Sequence, residues 1–280
     1  MLQRIQAKDF KAVPYLEGSQ LMSNHPEGVR LCADKPNVIV GPNGAGKSAL
    51  LQALALKTLA YFVGSSCLDE HFINGRDADS FWGERGYSWW REQEYLPGLA
   101  CEGDLGPTLY YRPGHIPGNE RCITTAMMCG YFEEARAYGR LIDDKSSGQQ
   151  SQAVQEKLMK ALAGDGSEMT LSCLNWRYGT KPQDPDGMSR HAGQMDYRAE
   201  ELKRRYEQMP GRPLILMDEP EQSLDARAEL HLWKQVERAD PRGLQMVIAT
   251  HSLYPLLHPQ RFNIIEATPG YAAEVISLMD

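Results

Sequence analysis

Gly41-Pro42-Asn43-Gly44-Ala45-Gly46-Lys47-Ser48 is the stretch that decides the fold of this 280-residue chain. It has the spacing GxxxxGK[ST], in which glycines let the backbone curl around an anion and turn its N–H groups inward. The run 36–40 before it reads as a buried strand, and a helix is predicted to begin at about Lys47. A helix N-terminus adds the positive end of a dipole to such a loop. The sequence therefore predicts a phosphate-binding loop between a strand and a helix.

Two acidic residues follow a second apolar run, 214–217, which reads as a buried parallel strand. Asp218 and Glu219 then fall at the carboxyl end of that strand, where open α/β sheets place their ligands. In a phosphate-loop protein, Lys47 reaches the β- and γ-phosphates, and Ser48 and Asp218 hold Mg²⁺. Glu219 is the candidate general base that polarises the attacking water. The sequence thus predicts Mg²⁺-dependent hydrolysis of a nucleotide.

A histidine ends a third predicted strand, 245–250. Parallel strands present their carboxyl ends at one edge of a sheet, so we expect His251 to lie on the same edge as Asp218. From there it can hydrogen-bond the γ-phosphate or the attacking water. A lone histidine is more often structural, and the two strand ends favour the catalytic interpretation.

These motifs resemble the ATP-binding-cassette ATPases, with a Walker A loop at 41–48, a Walker B strand at 214–220, a D-loop at 223–225 and His251 as the H-loop. More narrowly, the chain resembles the soluble, non-transport branch that includes chromosome-maintenance, RecF-like and OLD-like proteins. The opening segment 1–11 and the sequences Asp218-Glu219-Pro220-Glu221 and Ala249-Thr250-His251-Ser252 carry that narrower resemblance. The resemblance covers about 1–55 and 212–270, and says little of the middle of the chain.

The resemblance implies a head-to-tail dimer, in which ATP bound at one Walker A loop meets a signature segment of the other protomer. Two segments remain candidates for that signature. Ser146-Ser147-Gly148-Gln149 matches better in residues, and His191-Ala192-Gly193-Gln194 matches better in its distance from the Walker B strand. We favour the first. The resemblance also implies Asp225 in the D-loop and, by position, Gln93 as the Q-loop glutamine.

The predicted fold is α/β: an ABC-ATPase-like P-loop domain with a mixed central sheet, an N-terminal antiparallel β part and an inserted, mainly helical lobe. We divide the chain into an N-terminal β part with the Walker A lobe (1–63), an irregular aromatic-rich insertion (64–125), a helical lobe with the signature candidates (126–210), and the remaining ATPase core (211–280). The run 107–112 predicts an edge strand, and 151–162 an amphipathic helix.

Composition limits the class of partner. The formal net charge of −7 gives no sign of a globally basic nucleic-acid binder, although contact with nucleic acid stays possible. The six cysteines form no CxxC pair and read as reduced thiols, and no apolar run approaches the length of a membrane span. We therefore expect a cytoplasmic protein that does not enter the membrane.

Three functions are consistent with these features. The first is an ATPase switch that dimerises on ATP, or forms a higher homo-oligomer, and controls a separately encoded effector, a nuclease or toxin, as in bacterial anti-phage defence. The second is a DNA-repair or recombination ATPase, which the acidic balance and the lack of coiled-coil heptads disfavour. The third is the nucleotide-binding subunit of a membrane transporter, which the sequence Asp-Glu-Pro-Glu at 218–221 disfavours. All three share ATP and Mg²⁺ as ligands.

Overall fold

A computed structural model of the chain describes residues 1–10, 13–58, 61–62, 98–113, 155, 158–164, 209–222 and 224–279. In chain order the strands are β1 (Leu2–Ala7), β2 (Val29–Arg30), β3 (Asn37–Val40), β4 (Tyr61–Phe62), β5 (Leu99–Gly103), β6 (Thr108–Tyr111), β7 (Leu214–Asp218), β8 (Gln245–Ala249) and β9 (Asn263–Glu266). The helices are α1 (Pro14–Glu17), α2 (Gln20–Asn24), α3 (Lys47–Thr58), α4 (Ala226–Arg238), α5 (Tyr254–Leu257) and α6 (Tyr271–Ser277), with a 3₁₀ turn at Pro259–Arg261. The architecture is α/β, as predicted.

The central sheet has six strands in the order β4-β6-β7-β8-β3-β9, and every described pair in it is parallel. Strands β3, β7 and β8 are buried along their whole length, because helices cover both faces of the sheet. Their continuous apolar runs are the pattern that a doubly covered parallel strand requires. The carboxyl ends of all these strands therefore lie at one edge of the sheet.

Alternate residues of each strand pack into two separate apolar clusters, one on each face of the sheet. Ile39 and Leu216 pack with Leu50 and Leu54 of α3 on one face. Val38, Ile215 and Met217 pack with Leu232, Trp233 and Val236 of α4 on the other face. The period of two residues in the strands and the two flanking helices together form a three-layer α/β/α arrangement.

A second, three-stranded sheet has the order β2-β1-β5 and is antiparallel throughout. It is the predicted N-terminal antiparallel β part. The side chain of Gln245, the first residue of β8, joins this sheet to the central one. Its Nε2 donates to the carbonyl of Leu2, and its Oε1 accepts from the Leu2 N–H at 3.1 Å. Antiparallel pairing is confined to this second sheet among the described strands.

Strand β6 corrects one expectation from the sequence. The run 107–112 was expected at an edge of the sheet, but β6 lies between β4 and β7. All four of its residues are buried, which fits an internal position. The consequence is that Arg112, the residue after β6, stands beside the end of β7.

Most of the predicted helical lobe, 126–210, lies outside the described residues; within it, residues 155 and 158–162 are helical, in agreement with the helix predicted over 151–162. The described helices include none that is both long and apolar enough to cross a membrane. Cys32 and Cys101, the cysteines in the described ranges, are free thiols, as expected.

Candidate functional site

The loop that follows β3 has the backbone of an anion cradle. Gly41, Gly44 and Gly46 all have positive φ, at 155°, 76° and 101°. Gly46 is required for two reasons: its φ is positive, and a Cβ at this position would lie 2.5 Å from the Cβ of Ser19. Gly44 in contrast has no atom of the described part of the chain within 4 Å of such a Cβ. The predicted helix begins at Lys47, as expected, so the loop leads directly into the N-terminus of α3.

Lys47 lies across this loop with only 5% of its surface exposed. Its Nζ donates to the carbonyl oxygens of Gly41 and Pro42, at 2.8 and 3.0 Å, and lies 3.1 Å from Nε2 of His251. Because an ammonium group only donates, Nε2 is the acceptor and the ring proton is on Nδ1. Burial lowers the pKa of Lys47, and the carboxylates of Glu219, Asp218 and Glu221 oppose that shift. Lys47 is thus a buried cation held by weakly basic groups that an anion can replace.

Ser48 and Asp218 meet across the site, although 170 residues separate them in the sequence. The hydroxyl of Ser48 donates to Oδ1 of Asp218 at 2.7 Å. Asp218 is completely buried at the end of β7. The two residues predicted to share a magnesium ion therefore present adjacent oxygen atoms, which are the ligands that this ion prefers.

The other carboxylate oxygen of Asp218 contacts two residues of the β6 end. The buried hydroxyl of Tyr110 donates to Oδ2 at 3.0 Å, and Nε of Arg112 lies 3.5 Å from the same oxygen. Burial raises the pKa of Asp218, while the hydrogen bond from Ser48, the charge of Arg112 and the hydrogen bond from Tyr110 work in the opposite direction. The site thus holds a buried carboxylate with a cation beside it.

Glu219 has a strained backbone, with φ at +49°. Its N–H donates to the carbonyl of Ala249 at 2.8 Å, which ties the end of β7 to the end of β8. Its Oε1 lies 3.7 Å from Nε2 of His251, and about a third of each side chain is exposed, 35% and 34%. Positive φ in a non-glycine residue is uncommon and persists where the surrounding structure enforces it, often at functional sites. With this backbone the Glu219 carboxylate lies beside His251, and both side chains are partly open to solvent.

His251 follows β8, and its loop is held by the neighbouring acid Glu221. Oε1 of Glu221 accepts from the hydroxyl of Thr250 at 2.7 Å and from the backbone N–H of His251 at 2.9 Å. The predicted placement of His251 on the same sheet edge as Asp218 is observed, because Asp218 pairs with Ala249 in the sheet.

Asp225 caps the N-terminus of α4. Its Oδ1 accepts from the backbone N–H of Ala228 at 2.8 Å, and the residue is exposed. This is the ordinary role of aspartate at a helix start. The D-loop role that the resemblance implies stays a prediction.

Four predicted segments lie outside the described residues. They are Gln93, both signature candidates (146–149 and 191–194) and Ser223 of the D-loop. The domain boundaries that depend on them stay predictions as well.

Tyr110, Arg112 and Glu221 are site residues whose roles were not predicted from the sequence. Strand β6 was recognised, but its edge placement kept Tyr110 and Arg112 away from the Walker B strand. The sequence feature that could have indicated Arg112 was an arginine directly after a buried strand. Glu221 was noted only as part of the family resemblance, and its contacts depend on the fold.

No protein-family model matches the chain, and no curated protein matches it in sequence. Among solved structures, the chain is similar to a nucleotide-free ATP-binding cassette from an ABC transporter. The two share 13% sequence identity at a TM-score of 0.32, and the match covers 95% of this chain and 88% of that one. A likeness at this level identifies neither family nor function, so the soluble branch and the defence setting stay predictions.

Proposed function

We propose that this protein binds ATP with Mg²⁺ at the loop 41–48 and hydrolyses it. The observation that carries the proposal is the 2.7 Å contact between Ser48 and Asp218. It joins the phosphate loop to the acidic end of β7, so that a polyphosphate and a metal ion would share one site. A phosphate loop alone supports only binding, whereas the combination supports phosphoryl chemistry.

Binding of the polyphosphate is assigned to the loop backbone and Lys47. In the structure, Nζ of Lys47 bonds two loop carbonyls and a histidine ring. A phosphate oxygen is a charged acceptor and forms stronger hydrogen bonds than a carbonyl does. We therefore expect Lys47 to leave at least one carbonyl and turn to the β- and γ-phosphates.

The metal is assigned to Ser48 and Asp218. Their adjacent oxygens fit a Mg²⁺ ion that takes few protein ligands and completes its shell with phosphate and water. When bound, Mg²⁺ neutralises charge on the phosphates during transfer. Tyr110 and Arg112 orient the Asp218 carboxylate from the opposite side.

Hydrolysis is assigned to Glu219, with His251 beside it. The Glu219 carboxylate accepts a proton from water as the water oxygen bonds the γ-phosphorus, and the bond from that phosphorus to the β–γ bridging oxygen breaks. Once Lys47 leaves Nε2 of His251, that nitrogen can carry a proton and donate it in a hydrogen bond to a γ-phosphate oxygen. The 3.7 Å between Glu219 and His251 supports a shared task.

The exposed residues around the site support the idea that a second copy of the chain completes the nucleotide site. Glu219 and His251 are about one third exposed, and Asp225 is exposed at the start of α4. We propose that two protomers close head-to-tail on ATP, and that this closure controls a separately encoded nuclease or toxin. A protein with these properties fits anti-phage defence.

Glu219→Gln tests the proposal because the amide keeps the shape of the side chain and cannot accept the proton. We expect ATP binding to persist, and phosphate release to fall by about 10²–10⁴-fold. Its matched control is Glu274→Gln, a change of the same type at an exposed residue of helix α6. Mass measurement with ATP should show the Glu219→Gln protein as a dimer. Hydrolysis at the wild-type rate by Glu219→Gln would refute the general-base assignment.

A further inference from the structure

The loop after β8, residues 250–252, is fixed from two sides by acidic side chains. We propose that Glu221 and Glu229 form a brace that positions His251 against the γ-phosphate, and so gives the site its preference for ATP over ADP. The inference rests on the proposed nucleotide site. Both carboxylates are positioning residues, because they contact the loop and not the reacting atoms.

Glu221 supplies the first arm of the brace. One of its oxygens, Oε1, accepts both the hydroxyl of Thr250 and the backbone N–H of His251. Hydrogen bonds to a charged acceptor are about twice as strong as neutral ones. The backbone of His251 is thereby tied to the segment that carries Asp218 and Glu219.

Glu229 supplies the second arm from the first turn of α4. Its Oε1 accepts from the hydroxyl of Ser252 at 2.5 Å. Ser252 is linked to the first arm, because its backbone N–H donates to the hydroxyl oxygen of Thr250 at 2.9 Å. The resulting chain of hydrogen bonds runs from Glu221 through Thr250 and Ser252 to Glu229.

The burial of this chain explains why the brace is needed. Thr250 is 1% exposed and Ser252 is 7% exposed, so water cannot replace their lost partners. The ring of His251 in contrast is open to the site and touches Lys47. The loop thus combines a fixed backbone with a partly exposed ring whose contact with Lys47 a phosphate oxygen can replace.

Substitutions of Glu221 can separate the contribution of its negative charge from that of the hydrogen bonds it accepts. Its other oxygen, Oε2, is buried and has no hydrogen-bond partner among the residues that the structure describes. All of the bracing therefore passes through Oε1, and the amide oxygen of a glutamine can accept the same two bonds. Glu221→Gln should retain the brace, whereas Glu221→Ala removes it.

The test measures the dissociation constants of Mg-ATP and Mg-ADP by calorimetry, together with the hydrolysis rate. We expect Glu221→Ala and Glu229→Ala each to weaken ATP binding by about tenfold, the effect of losing a charge-assisted hydrogen bond. ADP binding should stay within about twofold of wild type, since ADP lacks the γ-phosphate. Glu237→Ala is the matched control, because Glu237 is a carboxylate of the same helix that contacts Tyr254 and Arg261 instead of this loop.

A double variant shows whether the brace acts through the histidine. In a His251→Ala background, Glu221→Ala should weaken ATP binding no further. Equal weakening of ATP and ADP, or an undiminished effect in that background, would overturn the proposal. If Glu221→Ala fails to fold, Thr250→Val removes the hydroxyl of the brace without changing side-chain size and faces the same criteria.

Hydrogen exchange separates a failed brace from a failed nucleotide site. If the wild-type protein bound neither nucleotide, the proposed function would be wrong. The brace itself still predicts that peptides covering 250–252 exchange about tenfold faster in Glu221→Ala than in Glu237→Ala without any nucleotide. Equal exchange rates in the two variants would refute the brace, whether or not the protein binds a nucleotide.

Discussion

Two walls of the site are built in different ways. The glycine loop, residues 41–46, is shaped by its backbone, through three glycines with positive φ. The acidic wall, residues 218–221 and 250–252, is shaped by side chains that hydrogen-bond one another across two strand ends. The glycines that shape the loop are therefore close together in the sequence, whereas the acidic wall exists only when β7 and β8 are paired.

Removing the cation between the two walls should have the largest effect. Lys47→Ala deletes the charge that bonds the loop carbonyls, His251 and, as proposed, two phosphates. We expect a loss of about 4 kcal/mol in ATP binding, roughly a thousandfold, from the loss of charge-assisted hydrogen bonds. Fluorescence titration with ATP measures it, and Lys57→Ala in the last turn of α3 is the control. An unchanged dissociation constant would place the polyphosphate elsewhere.

Two glycine substitutions separate the backbone strain of the glycine loop from its close packing against Ser19. Gly46→Ala introduces both strain at positive φ and a collision with Ser19, and should lower the free energy of unfolding by about 3 kcal/mol. Gly44→Ala meets open space and carries only the strain, about 1 kcal/mol. Urea denaturation measures both. Equal costs would mean that the close approach to α2 does not constrain the loop.

A smaller effect is expected when one hydrogen bond of the Asp218 carboxylate is removed. Tyr110→Phe deletes the buried hydroxyl that donates to Oδ2, and should cost about 1–2 kcal/mol of unfolding free energy. Tyr111→Phe changes the next residue of β6, which packs on the other face of the sheet, and serves as the control. A Tyr110→Phe protein as stable as the control would show that Arg112 alone suffices for the Oδ2 atom of Asp218.

Asp218→Asn should stabilise the protein, since the buried carboxylate is retained for function at the expense of stability. Burial raises the pKa of Asp218, so the folded state takes up this proton more readily than the unfolded state does. The contribution of Asp218 to the free energy of unfolding is therefore fully present below the ordinary carboxyl pKa. It is lost as the pH rises through the raised pKa of the folded state. The advantage of Asp218→Asn should be present at pH 7 and shrink toward pH 4, which denaturation without Mg²⁺ at several pH values can follow. Wild type more stable than Asp218→Asn at pH 7 would contradict the burial argument.

The contrast between the walls also explains which features could be predicted from sequence. The glycine loop, the start of α3 at Lys47 and the strands β3, β7 and β8 follow from short-range patterns, and all are observed as expected. The meeting of Ser48 with Asp218 was predictable because parallel strands share an edge. These features depend on periodicity and spacing, which the sequence displays directly.

The side-chain contacts of the acidic wall could not be predicted in the same way. Arg112 reaches Asp218 only because β6 is internal and adjacent to β7, a strand order that no local pattern encodes. Glu221 and Glu229 meet the same three-residue loop from positions eight residues apart, across a turn and a helix start. Tertiary packing decides which residues these carboxylates contact, so the sequence shows the acidic residues but not their hydrogen-bond partners.

The claim that the two walls form one Mg-ATP site is tested most directly by the magnesium dependence of ATP binding. The dissociation constant would be measured in Mg²⁺ and in EDTA for wild type, Ser48→Ala, Asp218→Asn and the double variant. We predict that Mg²⁺ strengthens ATP binding by about tenfold or more in wild type, that either single change removes most of this gain, and that the double variant loses no more. If the two single changes each reduced the Mg²⁺-dependent gain in affinity independently, so that their effects multiplied in the double variant, Ser48 and Asp218 would not share one ion. The claim of a single Mg-ATP site would then be wrong.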